Sequence, residues 1–232
     1  MIKIRRLDDN LNIEGKRVLL RVDFNVPMND ETITEDSRIK KVLPTIKYLM
    51  NKKAKIIIIA HLGRPKGKII PQLTLKPIAK KLSEYVNHSV MFLNESIGNL
   101  VIENSKKIPN GKIMLLENLR FHKEEELNSE SFAKELSKIG DIYVNEAFPC
   151  SHRTHASVSE ITKHISSFGG HQLIEELNVI KMLTESAKRP ATCIIGGSKI
   201  STKSGVIINL IKKMQNIIIV GAMANIFIKY KG

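Results

Sequence analysis

"AKIIIIA" at residues 54–60 decides the fold. Its four isoleucines do not alternate with polar residues, so both faces of the segment must be covered. A strand buried on both faces belongs to a parallel sheet with helices above and below it. The next residues, "HLGRPKGK" at 61–68, carry one histidine, one arginine and two lysines. A buried strand that runs straight into such a cluster predicts a polar rim at its carboxyl end, where open α/β sheets bind ligands.

The pattern on either side agrees. "RVLLRVDF" (17–24), "VMFL" (90–93), "KIMLLE" (112–117) and "DIYV" (141–144) read as strands. Residues 36–53 read as a helix, with Ile39, Val42, Leu43, Ile46 and Leu49 at helical spacing and an acidic, serine-containing start as its cap. Residues 74–86 read as a helix capped by threonine, and 128–139 as another. A polar loop spans 145–157, and "HQLIEELNVIKMLTESAK" (171–188) is a long helix. The alternation then restarts with strand 191–195, helix 201–214 and strand 216–220. The expected fold class is α/β, a doubly wound parallel sheet of Rossmann type. The expected organisation is a domain at 1–170, an interdomain helix at 171–188, and an incomplete second Rossmann-like domain at 189–232. Two strands and a helix are too few to close such a domain.

The strand ends gather the chemistry. Asp23, Phe24 and Asn25 follow the first strand, and His61, Leu62, Gly63 and Arg64 follow the isoleucines. Asn118, Arg120 and His122 follow 112–117. Asn145, Glu146, His152, Arg153 and His155 follow 141–144. Arg38 joins them if the first helix begins at that edge. Four of only nine arginines thus fall on one rim, in a chain that uses lysine freely elsewhere. Planar guanidinium forks match phosphate and carboxylate oxygens in pairs. A basic rim with few carboxylates fits a small, strongly anionic ligand such as a phosphorylated acid, with Asp23 and Asn25 available for hydroxyls.

Each residue also has a plainer reading that stays open. Asp23 could be a turn residue, His61 a strand cap, and Arg120 a partner for a glutamate of "KEEE" (123–126). Asn145 and Glu146 could be loop formers, and His122, His152 and His155 structural. The histidine spacings match no zinc pattern, and no metal site is expected.

Composition bounds the function class. The net charge is +14, but the lysines are scattered and tryptophan is absent, so base-stacking platforms are scarce and no nucleic-acid partner is expected. No apolar run reaches membrane-spanning length, and the start is no secretory signal. Two cysteines, Cys150 and Cys193, make no disulfide framework. A cytoplasmic, reducing location follows. "IIGGSKISTKSG" (194–205) sets a glycine pair and two lysines, Lys199 and Lys203, between a strand and a helix. That layout suits phosphate at a helix start, although it is not the Walker pattern and a plain strand–helix turn is the alternative.

Seven motifs taken together resemble the phosphoglycerate kinase family: "RVDFNVP" (21–27), "SRI" (37–39), "HLGRP" (61–65), "ENLRF" (117–121), "HRTHAS" (152–157), "GGSKIS" (196–201) and "GAMANIF" (221–227). They stand in that family's order. The resemblance implies a two-lobed, monomeric hinge enzyme of glycolysis. It would move a phosphoryl group reversibly between 1,3-bisphosphoglycerate and ADP, with Mg2+ accompanying ATP or ADP and no protein ligand for the ion within this sequence. It implies 3-phosphoglycerate binding by Asp23, Phe24, Asn25, Arg38, His61, Leu62, Gly63, Arg64, Arg120 and Arg153. It implies catalytic roles for Arg38 and Lys199, and nucleotide binding by Gly196, Gly197, Lys199 and Lys203. The departures are "NEAF" at 145–148 for the family's Asn-Asp-Ala-Phe, Pro149 and Cys150 for small residues, Ser198 for alanine and Val220 for glycine. Members of that family also continue through a complete second lobe. Activity of these residues alone is therefore doubtful, and the alternative is a non-catalytic anion-binding remnant.

Overall fold

The computed structural model describes residues 4–8, 10–197 and 203–231. They divide into two compact units, Met1–Glu176 and Leu177–Gly232.

In the first unit, β1 (Arg17–Arg21) leads to a short hairpin, β2 (Met28–Asn29) and β3 (Thr32–Ile33), and to α1 (Ser37–Asn51). Then follow β4 (Lys55–Ile59), α2 (Lys76–Val86), β5 (Val90–Leu93), α3 (Asn99–Lys107) and β6 (Ile113–Leu116). The unit continues with α4 (Lys123–Glu126), α5 (Glu130–Ser137), β7 (Ile142–Asn145) and β8 (Ser167–Gly169), and α6 (His171–Glu185) starts within it. The six-stranded sheet has the order β5-β6-β4-β1-β7-β8, and every pairing is parallel. The four strands whose ends carry the polar clusters are β6, β4, β1 and β7, which are neighbours. The order reverses around β1, the place where a doubly wound sheet opens a crevice.

The isoleucine run behaves as its pattern demands. Ile56 and Ile58 pack on one face with Ile39, Val42, Ile46 and Leu49 of α1 and Ile78, Ala79 and Leu82 of α2. Ile57 and Ile59 pack on the other face with Val101 of α3 and Phe132, Ala133 and Leu136 of α5. Successive side chains of a strand point to opposite faces, so four apolar residues in a row feed two cores.

The caps are shared with residues from outside the helices, although Thr74 Oγ1 does accept from the Lys76 N–H at 3.3 Å as expected. Asp36 stands at the N-cap of α1 but takes the Tyr85 hydroxyl and the Lys40 ammonium, while Glu35 accepts from the Ser37 N–H at 2.6 Å. At α2, Glu117 from the end of β6 accepts from the Leu75 N–H (2.9 Å) and the Thr74 hydroxyl (2.6 Å). A carboxylate brought from another strand thus covers a helix start. α3 and β8 were not foreseen. α3 buries only Val101 and Ser105, too little for a helical stripe, and β8 is a three-residue strand beside β7.

The second unit holds β9 (Thr192–Gly196), α7 (Ser204–Ile211), β10 (Asn216–Val220) and α8 (Ala222–Lys231). β9 and β10 pair in parallel, and Ile195, Ile207 and Met223 form its buried centre.

Candidate functional site

Polar side chains of the loops after β1, β4 and β6 tie those loops together. The Asp23 carboxylate accepts from the Asn25 N–H (3.1 Å), which shapes the turn. Asn25 Oδ1 accepts from the Gly63 N–H at 2.8 Å, and the Arg120 guanidinium donates to the Gly63 carbonyl at 2.8 Å. Asn118 donates to the carbonyls of Leu62 (2.8 Å) and Leu73 (2.9 Å) and accepts from the Arg120 N–H (3.1 Å). Gly63 has φ +64, and a Cβ there would meet Leu73 at 2.8 Å, so glycine suits both the turn and the space.

Arg38, from the first turn of α1, donates to the Asp23 carboxylate. The guanidinium stays 42% exposed while Asp23 is almost covered. A cleft of about 200 Å3 opens beside this pair, lined by Ser37, Lys41, Glu146, Pro149, Gln172 and Glu176 as well. The Lys41, Gln172 and Glu176 positions carried no sequence signal, because they sit in helices with no motif at them.

Beneath the rim lies a buried charged network. Arg21 is fully buried, its Nε donates to Ser157 Oγ (2.9 Å), and its Nη2 lies 3.1 Å from His61 Nδ1. A further guanidinium nitrogen of Arg21 donates to the Val22 carbonyl. The Ser157 hydroxyl and N–H donate to the buried Glu125 carboxylate at 2.6 and 2.9 Å. His155 Nδ1 stands 3.8 Å from that carboxylate. Burial, and then the charges of Arg21, Arg120, His155 and Arg153, push the His61 imidazole far down, so it stays neutral. Burial also lowers His155, against the raising influence of Glu125.

Atoms of Asp23, His61 and Cys150 lie within 4.8 Å of one another, a grouping with metal-ligand chemistry. Its state disfavours a cation. Arg38 engages Asp23, Arg21 engages His61, and burial pushes the Cys150 thiol up so that it keeps its proton. Positive charge from Arg21, Arg120 and Arg153 surrounds the thiol and the imidazole. The net charge around the basin is therefore positive.

The expected site residues divide into groups. Asp23, Asn25, Arg38, Gly63 and Arg120 are linked by the contacts above, His61 lies within 4.8 Å of Asp23, and Arg153, half-buried, is an electrostatic neighbour of His61, Arg120 and His155. Arg64 is exposed, and its side chain has no hydrogen bond or ion pair to a described residue. Phe24 and Leu62 belong to the apolar core at 0% and 2% exposure, so only their backbone lies in the loops. An apolar side chain next to a rim loop gains more from the core than from the solvent edge. Arg120 is buried and lies 3.5 Å from Glu126, the plainer pairing the sequence had left open. His122 leaves the cluster to pack on Phe132, with ring centroids 5.1 Å apart. Sequence reasoning passed over Arg21, because an arginine within an apolar strand pattern reads as a solvent-facing residue.

At the glycine turn of the second unit, Lys203 Nζ donates to the Gly196 carbonyl (2.6 Å) and the Met223 N–H to the Gly197 carbonyl (3.1 Å). Lys199 lies outside the described residues. No aspartate or glutamate follows Glu185 in the given sequence, so the segment around this turn offers amides and ammonium groups.

The phosphoglycerate kinase family model matches residues 8–232. The phosphoglycerate kinase of Finegoldia magna is 48% identical over 225 residues, covering 96% of this chain and 57% of that protein. That of Dictyoglomus turgidum is 47% identical over 221 residues, covering 95% and 56%. Among solved structures, phosphoglycerate kinase from Pyrococcus horikoshii OT3 superposes with a TM-score of 0.88 at 31% identity, covering 99% of this chain and 58% of that one. The Coxiella burnetii phosphoglycerate kinase gives 0.84 at 36% identity, covering 96% and 56%. The chain spans about half the length of the relatives it matches.

Proposed function

The chain belongs to the phosphoglycerate kinase family, and from that premise we propose that its basic rim binds 3-phosphoglycerate as one half of a phosphoryl-transfer site. The reaction passes a phosphoryl group from the acyl oxygen of 1,3-bisphosphoglycerate to the terminal phosphate oxygen of ADP, giving 3-phosphoglycerate and ATP, and runs in both directions. The observation that carries this reading is the linked set Arg38–Asp23, His61, Gly63–Arg120 and Arg153 on the carboxyl edge of neighbouring strands.

In this reading Arg120, Arg153 and Arg64 hold the phosphate and carboxylate of the three-carbon acid, His61 and Asn25 add neutral contacts, and Asp23 takes a hydroxyl. The Gly63 backbone stiffens the loop, and Phe24 and Leu62 anchor it from the core. Arg38, with a partly free guanidinium, neutralises the migrating phosphoryl group, and the family resemblance assigns Lys199 a catalytic role as well. Transfer then depends on positioning and charge, with no covalent enzyme intermediate. Gly196, Gly197 and Lys203 meet the nucleotide phosphates. Mg2+ arrives as the metal–nucleotide substrate and finds no carboxylate after Glu185 in this sequence.

We assign residues 1–170 to substrate binding, 171–188 to the connecting helix and 189–232 to the beginning of the nucleotide domain. The family resemblance implies a monomeric, cytoplasmic protein, and among the described residues no helix is long and apolar enough to cross a membrane.

A second reading is an anion-binding domain without catalysis, which the same basic rim would serve. Both readings expect calorimetric binding of 3-phosphoglycerate by these 232 residues. An ATP-coupled assay separates chain and enzyme. Near-background turnover is the expected result, full turnover would overturn the account of an incomplete nucleotide site, and no binding at millimolar ligand would overturn both readings.

A further inference from the structure

We propose that Arg21 is a positioning residue that holds His61 as its Nε2–H tautomer, so that the imidazole meets the bound anion as a neutral hydrogen-bond donor. A guanidinium has only donors, and Nη2 of Arg21 lies 3.1 Å from His61 Nδ1. The Nδ1 lone pair must therefore accept, and the ring proton must sit on Nε2. Nε2 makes no hydrogen bond to a described residue, which leaves it free to donate to a ligand.

Arg21 is itself locked. Ser157 accepts from its Nε at 2.9 Å and donates its own hydroxyl to Glu125 at 2.6 Å. Arg21 and Glu125 are both fully buried, so opposite charges are joined through one hydroxyl between β1, α4 and the loop after β7. The groups facing His61 are Arg21 on β1, Arg120 after β6, and Arg153 and His155 after β7, with Asp23 and Cys150 within 4.8 Å. That surrounding charge is mostly positive and opposes an imidazolium. The arrangement gives a donor that does not change with pH in a basin rich in permanent cations. A neutral donor adds direction without adding to the repulsion among the guanidiniums.

The inference rests on the ligand assigned above, but its first readout needs no ligand. Nitrogen-15 spectra of ligand-free protein, with His61 assigned by difference from His61→Gln, should show one static Nε2–H tautomer that does not titrate between about pH 5 and 8. Arg21→Met should give averaged tautomers of a ring that burial still keeps neutral, with 3-phosphoglycerate bound about tenfold more weakly, the worth of one net hydrogen bond. Should Arg21→Met fail to fold, Ser157→Ala keeps the charge, frees the guanidinium and should give the same spectral change to a smaller extent. A proton on Nδ1 in the parent protein, or unchanged His61 signals in the folded variants, overturns the proposal. Absence of 3-phosphoglycerate binding with the tautomer intact overturns only the ligand assignment.

Discussion

The Arg38→Ala, Arg64→Ala double variant loses 3-phosphoglycerate binding by about 100- to 10,000-fold. Charge-assisted hydrogen bonds contribute about 1.5–3 kcal/mol each, and two of them together about 3–6 kcal/mol, which converts to that range. The Arg38 change has a second effect. It leaves the nearly covered Asp23 carboxylate without its cation, and that free negative charge faces the incoming anion. Arg64 is exposed and makes no side-chain hydrogen bond or ion pair with a described residue, so its loss leaves stability unchanged. Calorimetric titration with thermal melts as control measures both effects. Affinity that survives both substitutions contradicts a single phosphate basin. Duplex binding with a steep salt dependence in the same variant would point instead to a nucleic-acid surface.

Glu146→Ala produces the largest loss of stability. Glu146 is 1% exposed and accepts from the Thr45 hydroxyl, from the Leu173 N–H at 2.9 Å and from the Gln172 N–H at 3.3 Å. Two of these donors are first-turn amides of α6, where a carboxylate also opposes the helix dipole. Gly170 makes room for it, since a Cβ at that position would stand 2.3 Å from the carboxylate carbon. Alanine at 146 strands up to three donors at about 1–3 kcal/mol each, or about 3–9 kcal/mol in all, against a typical domain stability of about 5–15 kcal/mol. Denaturant unfolding should show this as a large drop in midpoint, and Glu146→Gln, which keeps an acceptor, should lose less. A midpoint for Glu146→Ala equal to the parent's contradicts this role.

The sheet was legible in the sequence because burial on two faces leaves a direct mark. A run such as Ile56–Ile59 has no polar interruption, and the loop after it is polar for the opposite reason. The arginines of the rim were legible because arginine is scarce in this chain and four of the nine follow strands or open a helix. The roles behind them were less legible. Glu117, Asn118 and Glu146 work through backbone groups of segments far away in sequence, and no local pattern announces a distant amide. Arg21 escaped notice because its partners His61 and Ser157, and Glu125 beyond Ser157, come from three other segments. Phe24 read as part of a motif, yet its side chain follows the ordinary preference of a large apolar group for the core.

The most direct test of the basin is an amide NMR titration of the 232-residue chain with 3-phosphoglycerate, using inorganic phosphate as comparison. The expected result is saturable shifts centred on Asp23–Asn25, Arg38, His61–Arg64, Arg120 and Arg153, with tighter binding than inorganic phosphate. Shifts that fail to saturate, or that gather on a surface away from these residues, would contradict the account.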